Sequence, residues 1–197
     1  MAMEKLKREA RQGIKDYMLA EFRRGVFIFV YESDLYARLE EHARGRLREK
    51  AIASAYLPGR WFIFPAWSHH WQCGIASLGS SKDRNLWGTI FEINAEQLAA
   101  LDSQATWNGV TYNRIQLHEL HTADNKPFAD HVYTYVAIAQ GNGEFKPNAA
   151  YLSSIKESAI AYSLPSEHVD AIDAMMAVPD EMGEGVQGGE STHARRH

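Results

Sequence analysis

The stretch VFIFVYESDLYARL, from Val26 to Leu39, decides the fold. Val26 to Val30 is an unbroken apolar run closed by Tyr31, the pattern of a strand buried on both faces. The run stops at Tyr31-Glu32-Ser33-Asp34, and Leu35 and Leu39 then recur at helical spacing. Asp34 is placed to cap a helix over Leu35–Glu49 through its side-chain oxygen. A buried strand that feeds a polar turn and a helix start is a common seat for a ligand. This turn carries two carboxylates, Glu32 and Asp34.

Upstream, Leu6, Ala10, Ile14, Met18 and Phe22 recur every four residues with Lys and Arg between them. They predict an amphipathic helix over residues 3–24, ended by Gly25 and packed on the domain or on a second subunit, so a homodimer is one expected arrangement. Downstream, the expected strands are Ala51–Leu57, Trp61–Pro65, Cys73–Leu78 and Leu86–Ile93. Pro58-Gly59 and the polar tract Gly79–Asn85 read as turns. Asn94 and Gln97 form a capping-box pair for a short helix, Ala95–Leu101. Tyr112–His121 and Phe128–Ala139 read as a hairpin around Asp124-Asn125-Lys126-Pro127. Two helices follow, Asn148–Tyr162 and Ser166–Ala177, the second capped by Ser166. Three parts are expected: an N-terminal helix (1–25), one domain (26–178) and a mobile tail (179–197). The element order predicts an α+β domain, a six- to seven-stranded curled sheet or small barrel with flanking helices.

The 197 residues carry a net charge of −4 and are 45% apolar and 23% charged. This is ordinary globular composition, without the basic footprint that nucleic acid or an anionic membrane requires. A single cysteine, Cys73, excludes an intrachain disulfide and fits a reducing compartment. No apolar run approaches a membrane span, and a cytoplasmic protein is expected.

With these residues in view, the chain resembles the gamma-glutamylcyclotransferase-like family. Tyr31-Glu32-Ser33-Asp34-Leu35 is similar to the family's strand-end signature Tyr-Gly-Ser-Asn-Leu. Gly74-Ile75-Ala76 and Leu86-Trp87-Gly88-Thr89-Ile90-Phe91 resemble two of its strands, and Leu98–Asp102 its helix before a Leu-Asp motif. Tyr112 and Tyr135 fall where the family has hairpin tyrosines. Pro147–Tyr151 and Leu164-Pro165 fit its C-terminal helices. The likeness spans about residues 26–177. It implies a six- or seven-stranded barrel around one cavity, with a backbone cradle for the substrate carboxylate at the strand-end turn. It also implies a glutamate, in Leu-Asp-x-x-Glu-Gly, that shuttles a proton while the substrate amine attacks its γ-amide.

The corresponding text here is Leu101-Asp102-Ser103-Gln104-Ala105-Thr106, so Ala105 stands in the glutamate's register. Alanine moves no proton, and neighbouring Gln104 does not titrate. The family glycine is Glu32, which adds bulk and charge where glycine lets a ligand approach. Two unit charges ~5 Å apart repel by about 3 kcal/mol at an effective dielectric of ~20, so an anionic γ-glutamyl head would be disfavoured beside an ionised Glu32. The expectation is a relocated carboxylate. Glu32 is the acid/base, with Tyr31 beside it in the catalytic pair. Ser33, Asp34 and Leu35 form the substrate turn. Tyr112, Tyr135, Trp107 and Ala105 line the cavity.

His69-His70, and His118 with His121, point to opposite faces if extended, and no metal or other cofactor is expected. Cys73 beside Gly74 reads as a small buried hydrophobe. Trp61, Trp67, Trp71 and Trp107 with Phe62 and Phe64 suit a core, or an acid-lined aromatic pocket for a neutral or cationic ring.

The expected function is a diverged small-molecule enzyme of cyclotransferase type. Its chemistry is acid/base-assisted cyclisation, ring opening or cleavage of an amide-like or lactone-like group. Two rivals stand beside it. One is a non-catalytic binding module for a metabolite or partner. The other is a true gamma-glutamyl cyclotransferase using Glu92, Glu96 or Glu119.

Overall fold

The computed structural model describes residues 25–43, 46–128 and 130–177. The helix expected over 3–24 and the tail from 179 lie outside the described residues. Strand β1 is Val26–Val30, and helix α1 is Ser33–Ala43. The helix begins two residues earlier than the sequence predicts and ends well before Glu49, which falls in a single 3-10 turn, Leu47–Lys50. Asp34 is therefore inside the first turn, and Glu32 performs the capping. Its carboxylate accepts the backbone N–H groups of Asp34 (2.7 Å) and Leu35 (2.6 Å).

Two corrections concern the expected turns. Ala51–Leu57 and Trp61–Pro65 belong to one continuous strand, β2 (Ala51–Ser68). Cys73–Leu78 and Leu86–Ile93 likewise belong to one strand, β3 (Cys73–Ile93). The turn signals at Pro58-Gly59 and at Gly79–Asn85 lie opposite each other in this antiparallel ribbon. Pro58 faces Asn85 and Arg60 faces Ser80, so the irregularity is taken up as a bulge rather than a reversal.

Helix α2 (Ala95–Ser103) has the expected capping box. Asn94 Oδ1 accepts from Gln97 N (2.8 Å), and Gln97 Oε1 accepts from Asn94 N (3.1 Å). Short strand β4 (Thr106–Trp107) then pairs with β5 (Val110–Leu117). The expected hairpin is formed by β5 and β7 (Val132–Ala137), in register from Tyr112↔Ala137 to Leu117↔Val132. Residues His121–Thr122 leave it as β6 and pair with β2 instead. Helices α3 (Ala149–Ala161) and α4 (Ser166–Met176) close the described chain. Asn148 caps α3, whereas Pro165 occupies the α4 cap position, so Ser166 is not a cap.

The seven strands form one mixed sheet in the order β4-β5-β7-β1-β3-β2-β6. The sheet is curled and not a closed barrel, because the two-residue strands β4 and β6 remain its edges. Strand β1 lies at its centre, antiparallel to β3 and parallel to β7. The C-terminal end of this central strand delivers Tyr31 and Glu32 into the interior. Gly88 of β3 is fixed by that packing. A Cβ there would lie 2.3 Å from the Val30 carbonyl oxygen and 2.7 Å from the Phe29 ring.

Candidate active site

Helix α1 presents two stripes to the interior. Leu35, Leu39 and Ala43, four apart, enter the apolar core. Asp34 and Arg38, also four apart, are buried too. The second stripe faces the end of α2 and the β5–β7 hairpin. Arg38 is fully buried, and its Nη2 donates to the carbonyls of Leu101 and Gln104, each at 3.0 Å. Its guanidinium carbon lies 5.1 Å from the Tyr112 ring centroid and 5.0 Å from that of Tyr135. Nε and Nη1 of Arg38 meet no hydrogen-bond partner among the described residues.

Glu32 is 1% exposed and its carboxyl is held from two sides. The α1 N–H groups approach from one, and Tyr151 OH of α3 donates from the other at 3.3 Å. Tyr151 OH also accepts the Ala76 N–H of β3 (3.1 Å), which ties the acid to the long ribbon. Asp34 accepts from Trp71 Nε1 (2.8 Å) and Tyr112 OH (3.4 Å). The turn that carries Trp71 is held by Ser68 Oγ, which accepts the N–H groups of His70 and Trp71, both at 3.2 Å. Asn148 pins it further by donating to the Trp71 carbonyl (2.7 Å).

These surroundings set the acidities. Burial, and after it the charge of Asp34, pushes the Glu32 carboxyl up to about 8, against the pull of two N–H bonds and Arg38. Burial raises Asp34 as well, opposed chiefly by the Trp71 N–H. Burial, then the nearby Glu32 charge, also raises Tyr31, Tyr112 and Tyr151, which stay protonated donors. A carboxylic acid near neutrality, a second carboxyl, a buried cation and a shell of phenols thus share one desolvated volume.

The predicted residues divide between this cluster and its margins. Glu32, Asp34 and Tyr112 meet directly. Tyr31 lies alongside, its OH donating to the Tyr135 carbonyl (3.1 Å). The Tyr135 ring packs on Arg38, while its OH donates outward to Asp102 (2.7 Å), which also accepts from Arg114 (2.7 Å). Ser33 Oγ accepts from Ser154 Oγ of α3 (2.7 Å). Leu35 lies in the apolar core, Trp107 is half-buried, and Ala105 is exposed at the junction of α2 and β4. The spare glutamates Glu92, Glu96 and Glu119 are all exposed. Glu119 lines a separate cleft of about 560 Å³ between β2, β3, β5 and β7. Sequence reasoning missed Arg38 and Tyr151 as members of the cluster, and offered Trp71 as a wall of an acid-lined aromatic pocket rather than as a donor to Asp34. Of the two missed, only Arg38 left a signal, its spacing of four from Asp34. Among the described residues, no three of His, Cys, Asp and Glu gather as a metal site, and no helix is long and apolar enough to cross a membrane.

Residues 85–172 match the sequence model of the AIG2-like family. No curated protein matches the chain by sequence. A solved gamma-glutamyl cyclotransferase superposes with a TM-score of 0.62 at 22% identity, over 83% of this chain and 94% of that one. Protein loc79017 from Homo sapiens gives 0.62 at 22%, over 77% and 88%. YkqA from Bacillus subtilis gives 0.63 at 17%, over 82% of this chain and 58% of that one. The chain thus has the fold of a solved gamma-glutamyl cyclotransferase, and its residues 85–172 match the AIG2-like family model.

Proposed function

We propose that the protein is a diverged cyclotransferase-type enzyme that acts on a small molecule with Glu32 as its acid/base. The chemistry is cyclisation, ring opening or cleavage at an amide-like or lactone-like group. One observation carries it. A fully buried carboxyl, raised to about 8, sits between α1 N–H groups and a phenol, beside a second carboxyl and a buried arginine. Strongly perturbed acids in such clusters are candidates for functional sites. At neutral pH Glu32 is largely protonated. It can hand its proton to a departing nitrogen or oxygen, and its carboxylate can take one from the attacking group. With Ala105 in the register of the family's glutamate, the ordinary route is closed, and Glu32 is the buried carboxyl that takes its part. The small-molecule substrate, rather than a macromolecular partner, and a cytoplasmic site belong to the same proposal.

A second reading has its own observation. Both Glu32 oxygens are already engaged inside the fold, as in a site filled by its own side chain. The protein would then bind a metabolite or partner without turnover.

The test compares wild type with Glu32→Gln on a panel of γ-glutamyl amides, lactams, cyclic imides and lactones, read by mass spectrometry. Loss of turnover in the variant is expected. In wild type, kcat/KM should fall as pH rises through about 8, because the acid form donates the proton. Turnover that survives Glu32→Gln, or a profile flat between pH 7 and 9, removes Glu32 from the chemistry. No turnover on any compound leaves the binding reading.

A further inference from the structure

Arg38 is a buried cation with most of its donors idle. Guanidinium has five N–H donors and no acceptor. Here Nη2 is anchored on two carbonyls at the end of α2, and two tyrosine rings lie against the group. Nε and Nη1 have no partner among the described residues. Contact with ring faces does not satisfy N–H groups, and a buried charged donor left unpaired is costly. The missing partner is an acceptor. On adjoining β4, the buried indole nitrogen of Trp107 is also a donor without a partner among the described residues.

Charge decides which acceptor fits. Glu32 and Asp34 already set two buried carboxyls around the single Arg38 guanidinium. A ligand carboxylate would add an uncompensated charge to a desolvated site. A neutral carbonyl oxygen accepts the same hydrogen bonds and adds no charge.

We propose that Arg38 receives the carbonyl oxygen of an uncharged amide, lactam or lactone and stabilises the negative charge that forms on it. The nucleophile is an amine of the substrate or a water molecule, and it adds to the carbonyl carbon. The π pair of the C=O bond moves onto oxygen, where the Arg38 N–H groups meet it. When that pair returns, the bond to the leaving nitrogen or oxygen breaks and its electrons depart with that atom. Glu32 gives the leaving atom a proton and regains one from the nucleophile. The proton steps rest on the acid/base reading of Glu32; the Arg38 contact does not.

The experiment is a titration of the full chain, labelled with 15N-arginine, with 2-pyrrolidinone, γ-butyrolactone and propionamide, and with acetate for comparison. The Arg38 Nε–H signal is assigned by its absence in Arg38→Lys. If that variant does not fold, nuclear Overhauser contacts to the Tyr112 and Tyr135 rings assign it. A saturable downfield displacement with at least one uncharged carbonyl compound, and none with acetate, is expected. On any substrate turned over, Arg38→Lys should lower kcat by about 100- to 1,000-fold with KM little changed, the usual effect of removing an oxyanion donor. A purely structural arginine would move the melting temperature and leave the Nε–H signal unmoved. No displacement with any uncharged compound, or a displacement by acetate alone, overturns the proposal. Displacement without turnover in wild type keeps the Arg38 contact and sinks the acid/base role of Glu32. Turnover that depends on Glu32 without displacement does the reverse.

Discussion

Tyr151 shows how much of the site hangs on single atoms. Its phenolic oxygen ties Glu32 to the long ribbon, donating to the acid and accepting the Ala76 N–H. The residue is fully buried, so Tyr151→Phe keeps the packing and strands a backbone donor. An orphaned buried donor costs about 1–3 kcal/mol, and that loss is expected in urea unfolding of Tyr151→Phe. An unchanged midpoint would mean that the Ala76 N–H has another acceptor. The same residue marks a limit of sequence reading. Glu32 and Asp34 were legible as a site because they interrupt a strand-to-helix transition, a local event. Tyr151 meets Glu32 from 119 residues away, and nothing local distinguishes it from another core aromatic. Arg38 drew no reading of its own, because charge along a helix usually marks a solvated face. Its actual partners are carbonyls 63 and 66 residues downstream.

At the scale of elements, the β1–β3 pairing positions the turn, and Gly88 permits that pairing. The Cβ of an alanine there would meet a carbonyl oxygen and an aromatic ring that are themselves buried, so neither can yield cheaply. Overpacking of this kind costs about 1–3 kcal/mol, and Gly88→Ala belongs at the upper end. Because β1 leads directly into the turn with Glu32, the variant should also lose turnover in proportion to any shift of β1. A Gly88→Ala protein as stable as wild type would show that the ribbon can slide without cost. The capping box of α2 was legible because all its atoms lie within four residues. The two long strands were not, because Pro-Gly and a Gly-Ser-Ser-Lys tract are turn chemistry in most contexts. Here each is the bulge opposite the other, a relation fixed only when the strands pair.

For the whole molecule, two buried titratable groups pull stability in opposite directions with pH. Glu32 rises from an ordinary 4.5 to about 8 in the fold. The folded state therefore holds a proton that the unfolded chain has released, and its contribution is lost as pH rises from about 4.5 to 8. His168 of α4 is 2% exposed, packed against Trp61 and Phe62, and burial lowers it from 6.5 to about 4. There the unfolded chain binds the extra proton, and stability is lost as pH falls from about 6.5 to 4. Each slope is at most about 1.4 kcal/mol per pH unit. Other groups cancel when each variant is subtracted from wild type at the same pH. Glu32→Gln minus wild type should therefore climb with pH from about 5 to 8. Its starting value is negative, because an amide leaves one α1 N–H facing an NH2 group. His168→Phe minus wild type should climb in the opposite sense, as pH falls below 6.5. It should be positive by about 1 kcal/mol even at pH 7, since neither imidazole nitrogen has a partner among the described residues. Urea unfolding of the three proteins at four pH values between 5 and 8 measures both curves. A flat Glu32 curve would return that carboxyl to an ordinary acidity and undo the acid/base proposal at its root. A flat His168 curve would mean that α4 opens to water before the rest of the fold.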